Sequence, residues 1–282
     1  MTYFGFLGIF LVLPILALLV VARRDAQQGR KMPVALTTWA PWTLIIAHSI
    51  IAVLWTTPWD SYLIATRVWW YKPELVTGLT FLYIPIEEYT FFVLQPILTG
   101  LWLLFVIRHS PVAEPSSING MQLRRWVTAS LALIWLAFAA LLASGWQPGT
   151  YLGLLMVWAI PPMMIQSAFG ADILWRHRRV ALMTIIPMTL YLAAADKLAI
   201  TNGIWTINPG QSLQAIGINL LGRLPLEELL FFLFTNMLVT LGITLVTSAE
   251  SKVRAERWVE WAKSILQPRR SLTRIPAKST RQ

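Results

Sequence analysis

Seven long apolar runs, separated by shorter polar segments, set the pattern of this chain. Each run is close to or above the roughly 20 residues that a helix needs to cross a bilayer. The runs lie at about 3–22, 36–57, 79–107, 123–144, 151–171, 180–200 and 216–247. Charged residues make up 13% of the chain, against roughly 25% in soluble domains. The pattern therefore predicts an all-α integral membrane protein with seven transmembrane helices.

Basic residues fall mainly on one side of the predicted membrane. Of the 23 Lys and Arg residues, the even-numbered loops and their margins hold Arg67, Lys72, Lys197 and Arg223. The others lie in the odd-numbered loops and in a basic tail at 250–282, so the positive-inside rule predicts an outside N-terminus and a cytoplasmic C-terminus. We expect the tail to contact lipid headgroups or to be disordered. Since the positive charge flanks the membrane, no nucleic-acid partner is expected.

The chain contains no cysteine and three scattered histidines. Disulfides and thiolate catalysis are therefore excluded, and no metal site is expected. The sequence also lacks a Gly-x-Gly-x-x-Gly segment and any strand pattern that would place one. We accordingly expect no flavin or other cofactor.

An acidic motif occurs twice within apolar sequence. Residues 85–92 read PIEEYTFF and residues 225–232 read PLEELLFF. The same nine-residue interval separates Asp60 from Trp69 and Asp196 from Trp205. The first three helices thus resemble the last three, and four crossings between equivalent helices give both repeats the same orientation. The expected organisation is a repeat at 1–110, a linker with the fourth helix at 111–150, a second repeat at 151–249 and the tail.

Proline is expected to set the start of the third and seventh helices. Both runs are longer than a single crossing needs, and proline favours the first helical position while disfavouring helix in the residue before it. Starts at Pro85 and Pro225 make the lead-ins 79–84 and 217–224 re-entrant or interfacial segments. A kinked continuous helix is the alternative. The proline starts place four carboxylates in a first helical turn: Glu87, Glu88, Glu227 and Glu228.

Paired carboxyl groups in a dry environment suit acid–base chemistry. Burial disfavours the charged form, and a neighbouring carboxylate disfavours it further, so one group is expected to be protonated while another is ionised. Such a pair can act as general acid and general base. Asp60 and Asp196 are further catalytic candidates, although they could only position the glutamates or cap helices. Arg223 either pairs with a glutamate or is an ordinary interfacial arginine.

Aromatic residues surround the motif, and each glutamate has a phenylalanine one helical turn below it. A ring face attracts positive charge, most strongly where water is excluded. This suggests that the site stabilises a cationic intermediate. The substrate-binding candidates are Trp69, Tyr83, Tyr89, Phe91, Phe92, Trp205, Phe231 and Phe232.

The doubled Pro-x-Glu-Glu-x-x-Phe-Phe motif, the Asp-to-Trp interval and the arrangement of three, one and three helices resemble the fused form of the heterodimer-type lycopene cyclases. The resemblance covers about residues 1–247, and one departure between the repeats is Arg67, where the second has Gly203. It implies a cofactor-independent isomerase that converts lycopene through γ-carotene to β-carotene. An acid would protonate the terminal double bond, the carbocation would close a ring, and a base would remove a proton. It also implies a lipophilic carotenoid substrate, contact with membrane lipid and association with other carotenoid-pathway enzymes.

Other functions remain open at this point. The chain could cyclise a C50 carotenoid, carry protons or cations as a transporter, or use its glutamates only to cap helices and join them. A retinal protein is excluded because no lysine lies between Arg223 and Lys252. Parallel repeats favour one composite site, with a proton donor and a proton acceptor from opposite repeats, that serves each substrate end in turn.

Overall fold

The computed structural model describes residues 1–110, 119–220 and 224–266. Within them, seven helical spans are long and apolar enough to cross a membrane, which confirms the predicted fold class. The first span, Tyr3–Gln27, consists of α1 (Tyr3–Leu7), a π-helical turn (Gly8–Val12) and α2 (Leu13–Gln27). The others are built on α3 (Pro41–Ala65), α4 (Ile86–His109), α5 (Gly120–Ala143), α6 (Thr150–Arg176), α7 (Arg178–Thr201) and α8 (Leu226–Thr247).

Helices α4 and α8, which carry the acidic motifs, form the centre of the bundle. Helix α4 packs against α2, α3 and α7, and α8 packs against α3, α6 and α7. The two central helices also meet, where the Asn236 side-chain oxygen accepts hydrogen bonds from Gln95 (2.9 Å) and Thr99 (2.7 Å). Helix α5 packs mainly on α6 and has no buried side chain. The repeats therefore meet through α4 and α8, with the linker helix at the periphery.

The two central helices begin directly after the motif prolines. Pro85 and Pro225 are extended residues that cap α4 and α8. Each lead-in is a short antiparallel pair, β2 (Thr80–Phe81) with β3 (Ile84–Pro85) and β5 (Asn219–Leu220) with β6 (Leu224–Pro225). The predicted helix starts are confirmed, and the alternative of kinked continuous helices is wrong. The expectation of no strands is also wrong, because pairs this short leave no alternating pattern in the sequence.

A further strand pair joins the two repeats. Strand β1 (Trp69–Tyr71) runs antiparallel to β4 (Trp205–Ile207), with Trp70 opposite Thr206. Backbone hydrogen bonds from Lys72 to Ile204 (3.1 Å) and from Asn208 to Val68 (2.8 Å) extend it symmetrically. Strands β1 and β4 occupy equivalent positions in the repeats, so this pair lies on the local two-fold axis. We call the end of the bundle that carries β1–β6 the strand end.

The segment after the last span is a helix over much of its length. Helix α9 (Ala249–Leu266) is tied to α6 through Arg254, whose guanidinium contacts both Asp172 carboxylate oxygens (2.9 and 2.6 Å). Trp258 also packs edge-on against Phe169 of α6, with ring centroids 5.4 Å apart. Disorder is therefore the wrong expectation for this part of the tail, because the ion pair and the ring contact fix it. Residues 267–282 lie outside the described residues.

Candidate active site

Glu88 and Glu228 lie on the wall of one cavity between the repeats. The cavity measures about 40 Å³ at the strand end of the bundle, room for only a few water molecules. Both carboxyl groups are buried, each at the N-terminal turn of its central helix. Its lining residues are Tyr3, Phe6, Trp69, Tyr71, Glu88, Phe91, Leu192, Asp196, Trp205, Ile207, Glu228, Phe231 and Phe232.

One carboxylate oxygen of Glu88 accepts hydrogen bonds from two tyrosine hydroxyl groups. Tyr3, at the start of α1, donates to Glu88 Oε2, and Tyr71, at the end of β1, donates to the same atom at 2.9 Å. The two tyrosine rings stack, with centroids 5.9 Å apart. Burial, followed by the charge of Glu88, raises the pKa of Tyr71 well above its usual 10.0, so this hydroxyl stays a donor at neutral pH. Hydrogen bonds donated to a carboxylate favour its ionised form.

Glu228 has a different set of partners. Tyr151, at the start of α6, donates to Glu228 Oε1 at 2.6 Å. The repeat equivalent of Tyr71 is Ile207, which offers no hydroxyl group. Within the described residues, Glu228 therefore has one hydroxyl donor where Glu88 has two. The two carboxyl groups therefore occupy equivalent positions in the cavity and differ in the number of hydroxyl groups that donate to them.

The first glutamate of each motif instead accepts a hydrogen bond from the segment just before its lead-in. The Thr77 N–H donates to Glu87 Oε1 at 2.6 Å, and the Leu213 N–H donates to Glu227 Oε1 at 2.7 Å. Thr77 and Leu213 are separated by the same interval as Trp69 and Trp205, so the contact is repeated in both halves. Glu87 and Glu227 are buried, and neither lines the cavity. They hold the lead-ins over the helix starts.

The two aspartates are buried beside the cavity. Asp196, on α7, lines it and accepts a hydrogen bond from the Trp205 indole at 3.0 Å. Asp60, on α3, is fully buried and lies beside the Trp69 indole. Trp69 is the repeat equivalent of Trp205, so each repeat places one buried aspartate next to one tryptophan. Both aspartates lie inside their helices, α3 and α7, which removes the reading of them as helix caps.

Five of the predicted aromatic residues line the cavity: Trp69, Phe91, Trp205, Phe231 and Phe232. The Phe91 and Phe231 rings come from opposite repeats and stack, with centroids 6.5 Å apart. Phe232 packs edge-on against both of these rings, at 6.3 and 5.2 Å. The cavity wall thus presents several ring faces next to two carboxyl groups, an arrangement suited to a positive charge.

Other predicted site residues lie elsewhere. Tyr83 is 68% exposed in the turn between β2 and β3, with a left-handed φ of 66°. Tyr89 donates to the Phe81 carbonyl at 3.2 Å, and Phe92 is buried against Tyr89 and Phe91 without lining the cavity. Helical rotation explains this difference, because the cavity side of α4 carries Glu88 and Phe91. Arg223 lies outside the described residues.

The sequence reasoning missed the three tyrosine donors. Tyr3 and Tyr151 lie far from the motif in sequence. Tyr71 directly follows two tryptophans, and the local pattern does not distinguish it from them. One signal was present, since Tyr151 opens the YLGL segment that aligns with FLGI at 6–9. Among the described residues, no group of three or more His, Asp or Glu side chains has an arrangement that could hold a metal ion.

Comparison with known proteins identifies the family of this chain. A lycopene beta-cyclase of Halobacterium salinarum is 37% identical over 246 residues, which covers 86% of this chain and 95% of the relative. The bifunctional lycopene cyclase/phytoene synthases of Aspergillus niger and Neurospora crassa are 38% and 34% identical, covering 68% and 69% of this chain and 33% of each relative. No family model matches the chain, and no solved structure does. High coverage of both chains at this identity shows that the protein belongs to the lycopene beta-cyclase family.

Proposed function

We propose that this protein is an isomerase that cyclises the acyclic ψ ends of lycopene to β-ionone rings, forming γ-carotene and then β-carotene. The observation that carries the proposal is the aromatic-lined cavity that holds one carboxyl group from each repeat, Glu88 and Glu228. The family relationship supports the same reaction. The reaction is redox-neutral, and the elemental composition of the substrate is unchanged.

Glu228 is proposed as the proton donor. It has one hydroxyl donor, so its ionised form is less supported than that of Glu88. Its proton adds to the terminal double bond of the ψ end and leaves a tertiary carbocation. The neighbouring double bond attacks this cation, a carbon–carbon bond closes the six-membered ring, and the positive charge moves to a ring carbon. The faces of Phe91, Phe231 and Trp205 stabilise both cations.

Glu88 is proposed as the proton acceptor. The hydroxyl groups of Tyr3 and Tyr71 favour its carboxylate form before the reaction and orient it toward the cavity. It removes a ring proton next to the cationic carbon, and the electron pair of the broken C–H bond forms the ring double bond. One proton enters the substrate and one leaves, so its composition is unchanged. The proton then returns from Glu88 to Glu228 before the second end of the substrate is cyclised.

Glu87, Glu227, Asp60 and Asp196 are proposed as positioning residues. Glu87 and Glu227 fix the lead-ins through backbone N–H groups, which places the following glutamate against the cavity. Asp196 orients Trp205 through the indole N–H. Asp60 is the equivalent buried acid beside Trp69 and would orient that ring in the same way.

Expression in a bacterium that accumulates lycopene tests the activity. Wild-type protein should convert lycopene to monocyclic and bicyclic carotenes, separated by chromatography. Glu228→Gln should leave lycopene unchanged, whereas Glu88→Gln should still form the cation and release rings with a displaced double bond or an added hydroxyl group. Glu74→Gln, at an exposed glutamate between β1 and β2, is the matched control and should behave as wild type.

The outcomes separate the alternatives. Unchanged lycopene with wild-type protein in the membrane would refute the proposal and favour a C50 carotenoid substrate or a transporter. The opposite pattern in the two glutamine variants would reverse the acid and base. Cyclisation of one substrate end by each repeat independently would contradict a single composite site.

The membrane orientation is proposed from the charge distribution, with the strand end outside and α9 in the cytoplasm. Because the chain has no cysteine, single cysteines can report it. Thr80→Cys and Gln28→Cys replace exposed residues at opposite ends of the bundle. In intact cells, an impermeant thiol reagent should label the Thr80→Cys protein and not the Gln28→Cys protein. Labelling of the Gln28→Cys protein alone would reverse the orientation.

Contact with lipid and association with other carotenoid-pathway enzymes remain part of the same proposal.

A further inference from the structure

A second apolar site adjoins the cavity deeper in the bundle. It is a groove of about 260 Å³ between α3, α4, α6 and α8. Phe91 and Phe231 line both the groove and the cavity. The two spaces are therefore separated by a single layer of aromatic rings.

The mouth of the groove is exposed on the side of the bundle. Ile51 and Trp55 of α3 and Ile165 of α6 line it and are 58%, 45% and 72% exposed. They lie within the apolar spans, so this surface faces hydrocarbon in a membrane. From Phe231 to Val239 the groove follows α8 for about 12 Å, at about 1.5 Å per residue.

We propose that this groove binds the polyene chain of the carotenoid while one of its ends occupies the cavity. The inference rests on the proposed cyclisation of a long hydrocarbon. The cavity, at about 40 Å³, has room for a few water molecules only, so the remaining substrate must lie in an adjoining apolar space. The groove adjoins the cavity across Phe91 and Phe231, opens on the side of the bundle and has an aromatic wall.

The shared rings act as a gate in this arrangement. Phe231 stacks on Trp59 at 5.9 Å and on Trp158 at 6.1 Å, and Phe91 stacks on Phe231 from the other repeat. A substrate end that passes from the groove into the cavity has to cross the boundary that these two phenylalanines form. The same rings then lie beside the first double bonds of the chain.

Filling the groove tests the proposal. Ala52→Trp places an indole in the groove from α3. The matched control is Leu54→Trp on the same helix, because Leu54 lines a separate apolar pocket on the other side of α3. Two quantities are measured after expression in cells that accumulate lycopene: the lycopene that co-purifies per protein, and the rate of ring formation.

Ala52→Trp should lower lycopene retention and ring formation by about tenfold, while Leu54→Trp stays within about twofold of wild type. If Ala52→Trp and wild type retain equal amounts of lycopene, the proposed role of the groove is wrong, whatever the rate of ring formation. Equal losses in both tryptophan variants would also overturn it, since the effect would not depend on the groove. Groove-dependent retention without ring formation by wild type would instead refute the cyclase activity and leave the binding site intact.

Discussion

The Tyr71 hydroxyl offers a direct test of how the cavity separates acid from base. Tyr71→Phe keeps the ring that stacks on Tyr3 and removes only the donor that lies 2.9 Å from Glu88 Oε2. A hydrogen bond to a charged group contributes about 1.5–3 kcal/mol. Since Tyr3 continues to donate to the same oxygen, we take the lower value. The ratio of ionised to protonated Glu88 then falls about tenfold.

The expected result is a cyclisation rate about tenfold lower, together with a larger share of rings that carry a displaced double bond. The product ratio distinguishes two causes. A purely structural defect would lower the rate without changing the share of rings that carry a displaced double bond. The assay measures lycopene loss and each product in isolated membranes, normalised to folded protein. Tyr89→Phe is the matched control, because Tyr89 does not line the cavity and its hydroxyl donates to the Phe81 carbonyl of β2 at 3.2 Å. A Tyr71→Phe protein with the wild-type rate and product ratio would refute the assignment of Glu88 as base.

Three further predictions concern stability, each measured by thermal unfolding in detergent. Asn236→Leu leaves two buried α4 donors without their acceptor and should cost about 1–3 kcal/mol, whereas the same change at exposed Asn202 should cost far less; equal costs would contradict the role of this network. Burial, and then the charge of a neighbouring arginine, lowers the pKa of His177 below its usual 6.5. The unfolded chain therefore binds a proton first as the pH falls below that value, so wild-type stability should decline there and His177→Gln should decline less; parallel declines would refute this. Gly242→Leu would drive a Cβ into the His48 ring and should destabilise the bundle by about 1–3 kcal/mol, and an unchanged unfolding temperature would show that the helices can move apart.

Much of the fold could be predicted because apolar length and proline act locally. The spans follow from hydropathy, and the starts of α4 and α8 follow from Pro85 and Pro225, whose backbone conformation needs no tertiary partner. The repeat was also visible, since the interval between Asp60 and Trp69 recurs in the second half.

The division of labour within each glutamate pair required the structure. Adjacent helical residues point about 100° apart, so the sequence allows Glu87 and Glu88 to have different roles. It could not show which one faces the cavity, because that depends on a lead-in folding back to offer the Thr77 N–H. The hydroxyl donors were hidden for a similar reason. Tyr3 and Tyr151 reach the cavity from the first helix of each repeat, and helix packing alone brings them to the carboxyl groups.

The pairing of β1 with β4 bears on how such an enzyme can be divided or fused. Each repeat expressed alone would expose an unpaired strand edge, so two separate chains would have to recognise each other through that edge. Two copies of the first repeat could form the same antiparallel pair, with Tyr71 of each opposite Trp69 of the other. Both cavity carboxylates would then carry two hydroxyl donors and favour the same charge state. Joining two different repeats, with Ile207 in place of the second tyrosine, leaves Glu228 with one hydroxyl donor and Glu88 with two among the described residues.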